Sequence, residues 1–416
     1  MPPRLRSRLA EWAELDHRVW RMAGARAVNT MGMSLVMSFL GIYVVESRGY
    51  PAWLYGVCAL AANLAQSMAS AWAGELSDRI GRRPLITGSL VVRAFVISVL
   101  GLQVLLDAPL WALAINFAAS SALRGGFEPV AYALVADVCR PDQRIAAFGL
   151  QRMGTNLGWA MGPAIGGLLT VWLPYGAVFF ITGAALLAAA WTTTGVPESR
   201  AAAAGGGDRV ALGDAFREAW RNPPLLALLA ATFLFALVHT QLFSTFSIYW
   251  ADVMGLPKAS IGLLYTINGV GVLLFQVPAI GLIRRIGVRR AMIGAAAVYV
   301  VAYLTMGAAR GFAGAAIAVA VITMAEIVFS PAHQTAAAES GDPSRRGRTF
   351  GVVGFAQILG VAFAPLYGGT LLDQLGHHPL LMWGGVAVMA VLLTATTSIY
   401  AALQQRESRA TGSQLG

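Results

Sequence analysis

Arg124 and Glu128 stand four residues apart inside LWALAINFAASSALRGGFEPVAYAL (110–134), a stretch with no other charge. On a helix they share one face and can pair. Glu326 lies 202 residues beyond Arg124, in a second apolar stretch, followed at i+4, i+7 and i+8 by Ser330, His333 and Gln334. An ionisable side chain at bilayer depth costs about 2.5–3.5 kcal/mol on insertion scales, so each one needs a chemical reason. Burial favours a protonated carboxylic acid, and a nearby guanidinium favours the carboxylate. An acid moved between two such settings loads and releases a proton. Glu326 is the candidate for that role, and Glu128 is either a second titratable group or the fixed partner of Arg124. His239 and Gln241 open a further polar patch, LVHTQLFSTF (237–246). A histidine there serves a helix contact as readily as a proton transfer. Asn29, Met33, Met37, Tyr265 and Asn268, with His239, Gln241, His333 and Gln334, form a candidate cavity lining. Polarisable and aromatic side chains suit a site that accepts many lipophilic shapes, although each singly is also ordinary packing.

These residues need long apolar elements to hold them. The chain has 416 residues, 57% hydrophobic and 12% charged, against about 25% charged in a soluble domain. Twelve apolar runs occur, approximately 21–45, 52–73, 85–106, 110–138, 145–170, 174–195, 224–250, 259–281, 290–309, 312–338, 348–372 and 379–403. Runs of about 20 residues suit a hydrocarbon core about 30 Å thick. Lipid cannot satisfy backbone hydrogen bonds, so such spans must be helical. The expected fold is an all-α membrane protein of twelve transmembrane helices, built as two pseudo-symmetric six-helix bundles around a central cavity.

The net charge of +10 does not make a nucleic-acid face. Most of the arginines fall at the two ends of the chain and in alternate loops, whereas the opposite loops hold only Arg48, Lys258 and Arg310. That asymmetry predicts cytoplasmic N- and C-termini in a multi-pass protein of the cell (inner) membrane. The two cysteines, Cys58 and Cys139, permit neither a zinc site nor a disulfide framework. No metal or cofactor is expected.

One polar turn breaks the pattern. GELSDRIGRRP (74–84) sits between runs that carry almost no charge. Gly74 and Gly81 permit a tight turn and close helix approach. Asp78 suits the amides of a neighbouring helix N-terminus. Arg79, Arg82 and Arg83 suit acids at helix ends, Asp137 first among them. The arrangement predicts a cytoplasmic gate latch. The plainer alternative is that these arginines only set topology.

The chain is written twice. FEPVAYALVADVCRPDQRIAAFG (127–149) matches FSPAHQTAAAESGDPSRRGRTFG (329–351): Pro129 and Pro331, Asp137 and Glu339, and Arg144 and Arg346 are each 202 apart. Gly158, Pro163, Gly166 and Gly167 recur as Gly360, Pro365, Gly368 and Gly369 at the same spacing. By this symmetry Glu339 joins the gate group, and Glu326 is expected to face Arg124 across the cavity. The polar stretch 196–223, with an Ala/Gly tract and a short helical pattern, is the expected linker. It leaves residues 1–20 as an amphipathic N-terminus, 21–195 and 224–403 as the two bundles, and 404–416 as a tail. Such repeats build transporters with a cavity near the bilayer midplane.

Over nearly its whole length the sequence resembles the major facilitator superfamily. GELSDRIGRRP is similar to that family's loop signature G-x-L-x-D-R-x-G-R-R. LRGGFEP (123–129) resembles its fourth-span arginine motif, departing from it in the later residues. GWAMGPAIGG (158–167), with Gly158, Gly162, Pro163, Gly166 and Gly167, resembles the fifth-span motif of proton-driven exporters. EIVFSPAHQ (326–334) is most similar to the multidrug/proton antiporter branch, which places a membrane-embedded acid there. The resemblance implies a monomeric, non-enzymatic exporter of lipophilic or amphipathic small molecules in exchange for protons. The rivals are a proton symporter, or an exporter of a specific metabolite, lipid or siderophore. A non-transporting receptor and an intramembrane enzyme are weaker: no Ser/His pair, metal-ligand cluster or nucleotide loop stands in the sequence.

Overall fold

The computed structural model describes residues 15–140, 143–198, 217, 220–340 and 346–412, with side chains except at 74, 78, 145, 346–348, 350 and 407–412. Twelve long helices run through these residues: α1 (His17–Ser47), α2 (Ala52–Ile80), α3 (Arg82–Leu105), α4 (Leu110–Val138), α5 (Arg144–Leu169), α6 (Tyr175–Thr194), α7 (Pro223–Val253), α8 (Lys258–Ile286), α9 (Val288–Ala308), α10 (Gly311–Glu339), α11 (Arg346–Leu375) and α12 (Pro379–Gly412). No strand occurs among the described residues. Nine of the twelve are long and apolar enough to cross a membrane. The other three are α2, α4 and α5, which carry polar side chains such as Asn63 and Gln66, Asn116 and Arg124, and Gln151 and Asn156. The outward-facing side chains are apolar: Trp72, Phe95 and Trp191 are 72%, 70% and 78% exposed. Lipid tolerates such a surface and water does not.

The fold divides into two compact units. The first holds Met1–Tyr50, Val57–Ala204 and Pro257–Gly269, and the second holds Pro51–Gly56, Gly205–Leu256 and Val270–Gly416. Within the first, α1 packs on α5 and α6, and α3 on α4 and α6. Within the second, α7 packs on α11 and α12, and α9 on α10 and α12. The same arrangement therefore appears in each, with every helix six places on. The first turns of α2 and α8 cluster with the unit opposite to the rest of their own helix.

Small residues set the closest approaches. A Cβ built on Gly158 would lie 2.5 Å from the carbonyl oxygen of Ala27 and 2.7 Å from Thr30 Cβ. In the second unit Gly360 stands in the same way against Phe233 and Ala236. Gly167 would meet the Lys258 carbonyl at 2.6 Å, and Gly369 would meet that of Ala52 at 2.6 Å. In such contacts the partner is backbone, which cannot swing aside. Gly158→Ala is therefore expected to destabilise the protein by about 1–3 kcal/mol through overpacking. Gly149→Ala in the same helix meets nothing within 4 Å and should be neutral or slightly stabilising, since Ala is the better helix former. Melting temperatures of the two purified variants check the contrast.

Candidate functional site

In the first unit the buried charges of α1, α3 and α4 form one cluster. Glu128 pairs with Arg26 of α1 through Arg26 Nη1, and Arg26 Nη2 also donates to the Glu128 carbonyl at 3.2 Å. Arg26 Nε reaches Gln151 Oε1 at 3.3 Å, and its guanidinium lies 4.0 Å from the centre of the Tyr132 ring. Arg124 Nη2 lies 3.5 Å from the other Glu128 oxygen, and Arg124 Nη1 donates to Gln66 Oε1 at 3.1 Å. Arg26 is 1% exposed and the Glu128 side chain 22%. Helical spacing accounts for the Arg124 contact. The closer partner, Arg26, comes from a helix 102 residues away, and no periodicity in either helix announces it.

The turn between α2 and α3 is held by several contacts. Gly81 sits at φ +98°, and its counterpart Gly287, between α8 and α9, at φ +87°; both are in the region that favours glycine. Arg82 pairs with Asp137 and donates to the Ala133 carbonyl at 3.1 Å. Arg79 pairs with Glu75 one turn back, at 2.6 Å. Arg83 Nη1 reaches the Thr194 carbonyl at the end of α6, at 3.5 Å, where a cation is favoured. The acid at the α3 N-terminus is Glu198, whose Oε1 accepts from the Arg82 amide at 2.9 Å. The α3 amide thus meets an acid from the start of the linker, recognisable in sequence only as the first carboxylate after the sixth apolar run. Gly74 and Asp78 lie in α2, with side chains outside the described set. Glu339 is exposed at the end of α10.

In the second unit Glu326 of α10 faces α7. Its Oε1 lies 3.9 Å from His239 Nε2, with the two side chains 20% and 23% exposed. His239 Nδ1 stands 3.3 Å from the Tyr299 hydroxyl of α9, and its ring stacks on Phe235 with centroids 5.4 Å apart. The α-helix of α7 ends directly after His239: Pro223–Thr240 is α-helical, Gln241–Phe243 tightens to a 3-10 turn, and Ser244 leaves helical geometry at φ −123°, ψ −79°. Gln241 Nε2 donates to the Ala364 carbonyl at 2.9 Å, and Tyr303 donates to the Val238 carbonyl. Tyr303 thereby supplies a partner to a carbonyl of α7 itself, as Gln241 Nε2 does to that of Leu237 at 3.2 Å, while the Ala364 bond ties the break to α11. The polar run at 239–245 marks this segment in the sequence without marking the break.

The residues of the expected cavity lining are mostly buried. Asn29, Met33, Met37, Gln241, Tyr265, Asn268 and His333 are all buried. Asn29 bonds to Arg93, and His333 Nε2 lies 2.7 Å from Thr232 Oγ1, beside the stacked rings of Phe235 and Phe329. His239 keeps partial exposure and Gln334 is exposed. The stripe from Glu326 to Gln334 is thus divided, because Glu326 and His333 both meet α7 whereas Gln334 is exposed. In the fifth-span motif, Gly158 and Gly162 pack on α1, Gly166 on Phe39, and Gly167 on the first turns of α8, beside Pro163, whose carbonyl oxygen lies at Gly262. No group of three or more metal-ligating side chains occurs among the described residues.

The family model described as Major Facilitator Superfamily matches residues 22–260 and 249–414. The chain belongs to the major facilitator superfamily. Among its relatives in that superfamily is the uncharacterized MFS-type transporter YqjV of Bacillus subtilis (strain 168), 22% identical over 88% of this chain and 89% of that protein. Another is the multidrug resistance protein MdtH of Escherichia coli O1:K1 / APEC, 24% identical over 87% of this chain and 88% of MdtH. Superfamily structures share the fold. The nucleoside transporter NupG superposes with a TM-score of 0.75 at 12% identity, covering 93% of this chain and 99% of its own. A bacterial homolog of the human lysosomal transporter Spinster gives 0.71 at 17% identity, covering 94% and 96%. This is a membrane transporter of the major facilitator superfamily.

Proposed function

We propose that the protein exports lipophilic or amphipathic small molecules in exchange for protons by alternating access, with Glu326 as the proton carrier. The observation that carries this reading is the Glu326–His239 contact at 3.9 Å, two titratable groups in one partly exposed site beside the break in α7. A proton carrier must be reachable yet poorly solvated, and a helix interruption is where transporters build such sites. Tyr299 at His239 Nδ1 extends the chain of hydroxyl, imidazole and carboxyl. The name of the relative MdtH supports the multidrug type of substrate. Residues 1–20 and 404–416 are read as cytoplasmic in an inner-membrane monomer, because the arginine-rich loops lie on their side. The paired Arg82–Asp137 and Arg79–Glu75, with Glu198 at the α3 amide, then form a cytoplasmic gate.

The test is transport in energised inside-out vesicles, offered a panel of lipophilic amines, neutral compounds and acids. Substrate is expected to accumulate while the imposed pH gradient dissipates. Flux in the symport direction would overturn the antiport reading, and an inert panel would overturn the multidrug reading.

A further inference from the structure

The buried charges of the first unit do not balance. Arg26, Arg93 and Arg124 are three guanidiniums on α1, α3 and α4, and Arg26 and Arg93 are each 1% exposed. Among the described residues the carboxylate that pairs with them is Glu128, and Arg26 occupies it most closely. Arg93 has only neutral acceptors: Ser120 Oγ at 3.2 Å, the Asn29 carbonyl at 2.8 Å and Asn29 Oδ1. Arginine does not deprotonate in proteins, so the cluster holds more positive than negative charge. An uncompensated charge away from water is costly.

The same cluster leaves three donors unmatched against one carboxylate oxygen, Glu128 Oε1, which lies 3.5 Å from Arg124 Nη2. Arg93 Nη2, Arg124 Nε and Asn29 Nδ2 are buried donors with no hydrogen-bond partner. Turning the Asn29 amide over does not help, because its NH2 would then face the Arg93 guanidinium. A network whose only task was to tie α1, α3 and α4 together would aim its donors at protein acceptors. Here three N–H groups on adjoining residues are left over, beside a charge excess of the matching sign.

We infer that α1, α3 and α4 form a subsite for the anionic head, a carboxylate, sulfonate or phosphate, of an amphipathic small molecule. Arg93 and Arg124 supply the charge and Asn29 a neutral donor. Planar guanidinium groups match such oxyanions with parallel N–H···O bonds. The inference rests on the small-molecule transporter reading and narrows its substrate class.

The test uses the purified full chain in a neutral maltoside detergent, with three probes of one shape: 1-naphthoate, 1-naphthylmethanol and 1-naphthylmethylammonium. Thermal unfolding is followed against probe concentration. Naphthoate is expected to raise the melting temperature at concentrations where the alcohol and the ammonium do not. Arg93→Gln and Arg124→Gln should each weaken it by about tenfold or more, the loss of a charge-assisted hydrogen bond. Asn29→Asp provides a folded control: with its own counter-charge for Arg93, it should melt higher without ligand and lose the naphthoate response. Inorganic phosphate alone separates two sources of the same chemistry. A shift with naphthoate only supports a substrate head group, and an equal shift with phosphate overturns that in favour of a free anion. No preference for naphthoate in the wild type, or the same preference in all three variants, overturns the site itself. Failure of vesicle transport with an intact naphthoate preference would instead sink the exporter reading and leave the subsite standing.

Discussion

Glu326→Gln is expected to abolish proton-driven accumulation of substrate while leaving substrate exchange across the membrane intact. Gln keeps the size and hydrogen-bonding edge of the side chain but cannot carry a proton. The α10–α7 packing around it should survive, since Phe235, Phe329 and His333 form that contact without Glu326. Uphill transport and its drain on the pH gradient should both vanish, and counterflow of preloaded substrate at zero gradient should continue. A protein that had merely lost its fold would lose both. If Glu326→Gln still concentrates substrate against a gradient, the proton site lies elsewhere and the central assignment fails. His239→Gln is the companion measurement. If His239 hands protons to Glu326, it should slow coupled transport without uncoupling it.

The second large effect is on stability, and its asymmetry is the sharper part. Removing one member of a buried ion pair leaves the other charge stranded, at a cost of about 3–5 kcal/mol. Glu128→Gln removes the carboxylate shared by Arg26 and Arg124. Its cost should sit in that range, because the remaining guanidiniums are all cationic. Arg26→Gln should cost less, since Glu128 keeps Arg124 at 3.5 Å. The double variant Arg26→Met with Glu128→Met should recover only the part of the loss that belongs to Arg26, because Arg124 stays without its carboxylate. Equilibrium unfolding of the four proteins in detergent gives the ordering. Equal costs for the two single changes would mean that Arg124 does not share the carboxylate.

Most of the helical framework was readable in advance, because lipid leaves a spanning chain few choices. The equivalence of α4 and α5 with α10 and α11 was also readable, as Pro129 and Pro331 or Gly167 and Gly369 repeat at one spacing. GELSDRIGRRP (74–84) also matches IGLIRRIGVRR (280–290) in the sequence, with Gly81 and Gly287 206 apart, and the structure adds Ala27 and Phe233, which receive Gly158 and Gly360, at that same spacing. The two repeats differ in length between α3 and α4, so a single offset could not carry across both parts. Partner choice was less legible. Arg26 meets Glu128, and Glu198 meets the α3 amide, through packing between helices distant in sequence. Spacing within one helix constrains only neighbours a turn or two away. The break in α7 lay between these cases: His239, Gln241, Ser244 and Thr245 marked an unusual segment, but a polar run does not say where a helix gives way.

Lys258 is the only lysine in the chain. Its ammonium lies 3.7 Å from Glu46 Oε2 and 4.6 Å from the centre of the Tyr175 ring, joining the start of α8 to the end of α1 and the start of α6 within the first unit. An amine-directed acylating reagent therefore has one side chain to find. Acylation needs the nitrogen free of Glu46 and clear of the ring, so the rate of labelling reads how often this one contact opens. Once the chain's α-amino group is accounted for, the sequence thus carries its own reporter, and no cysteine has to be engineered to watch that junction during transport.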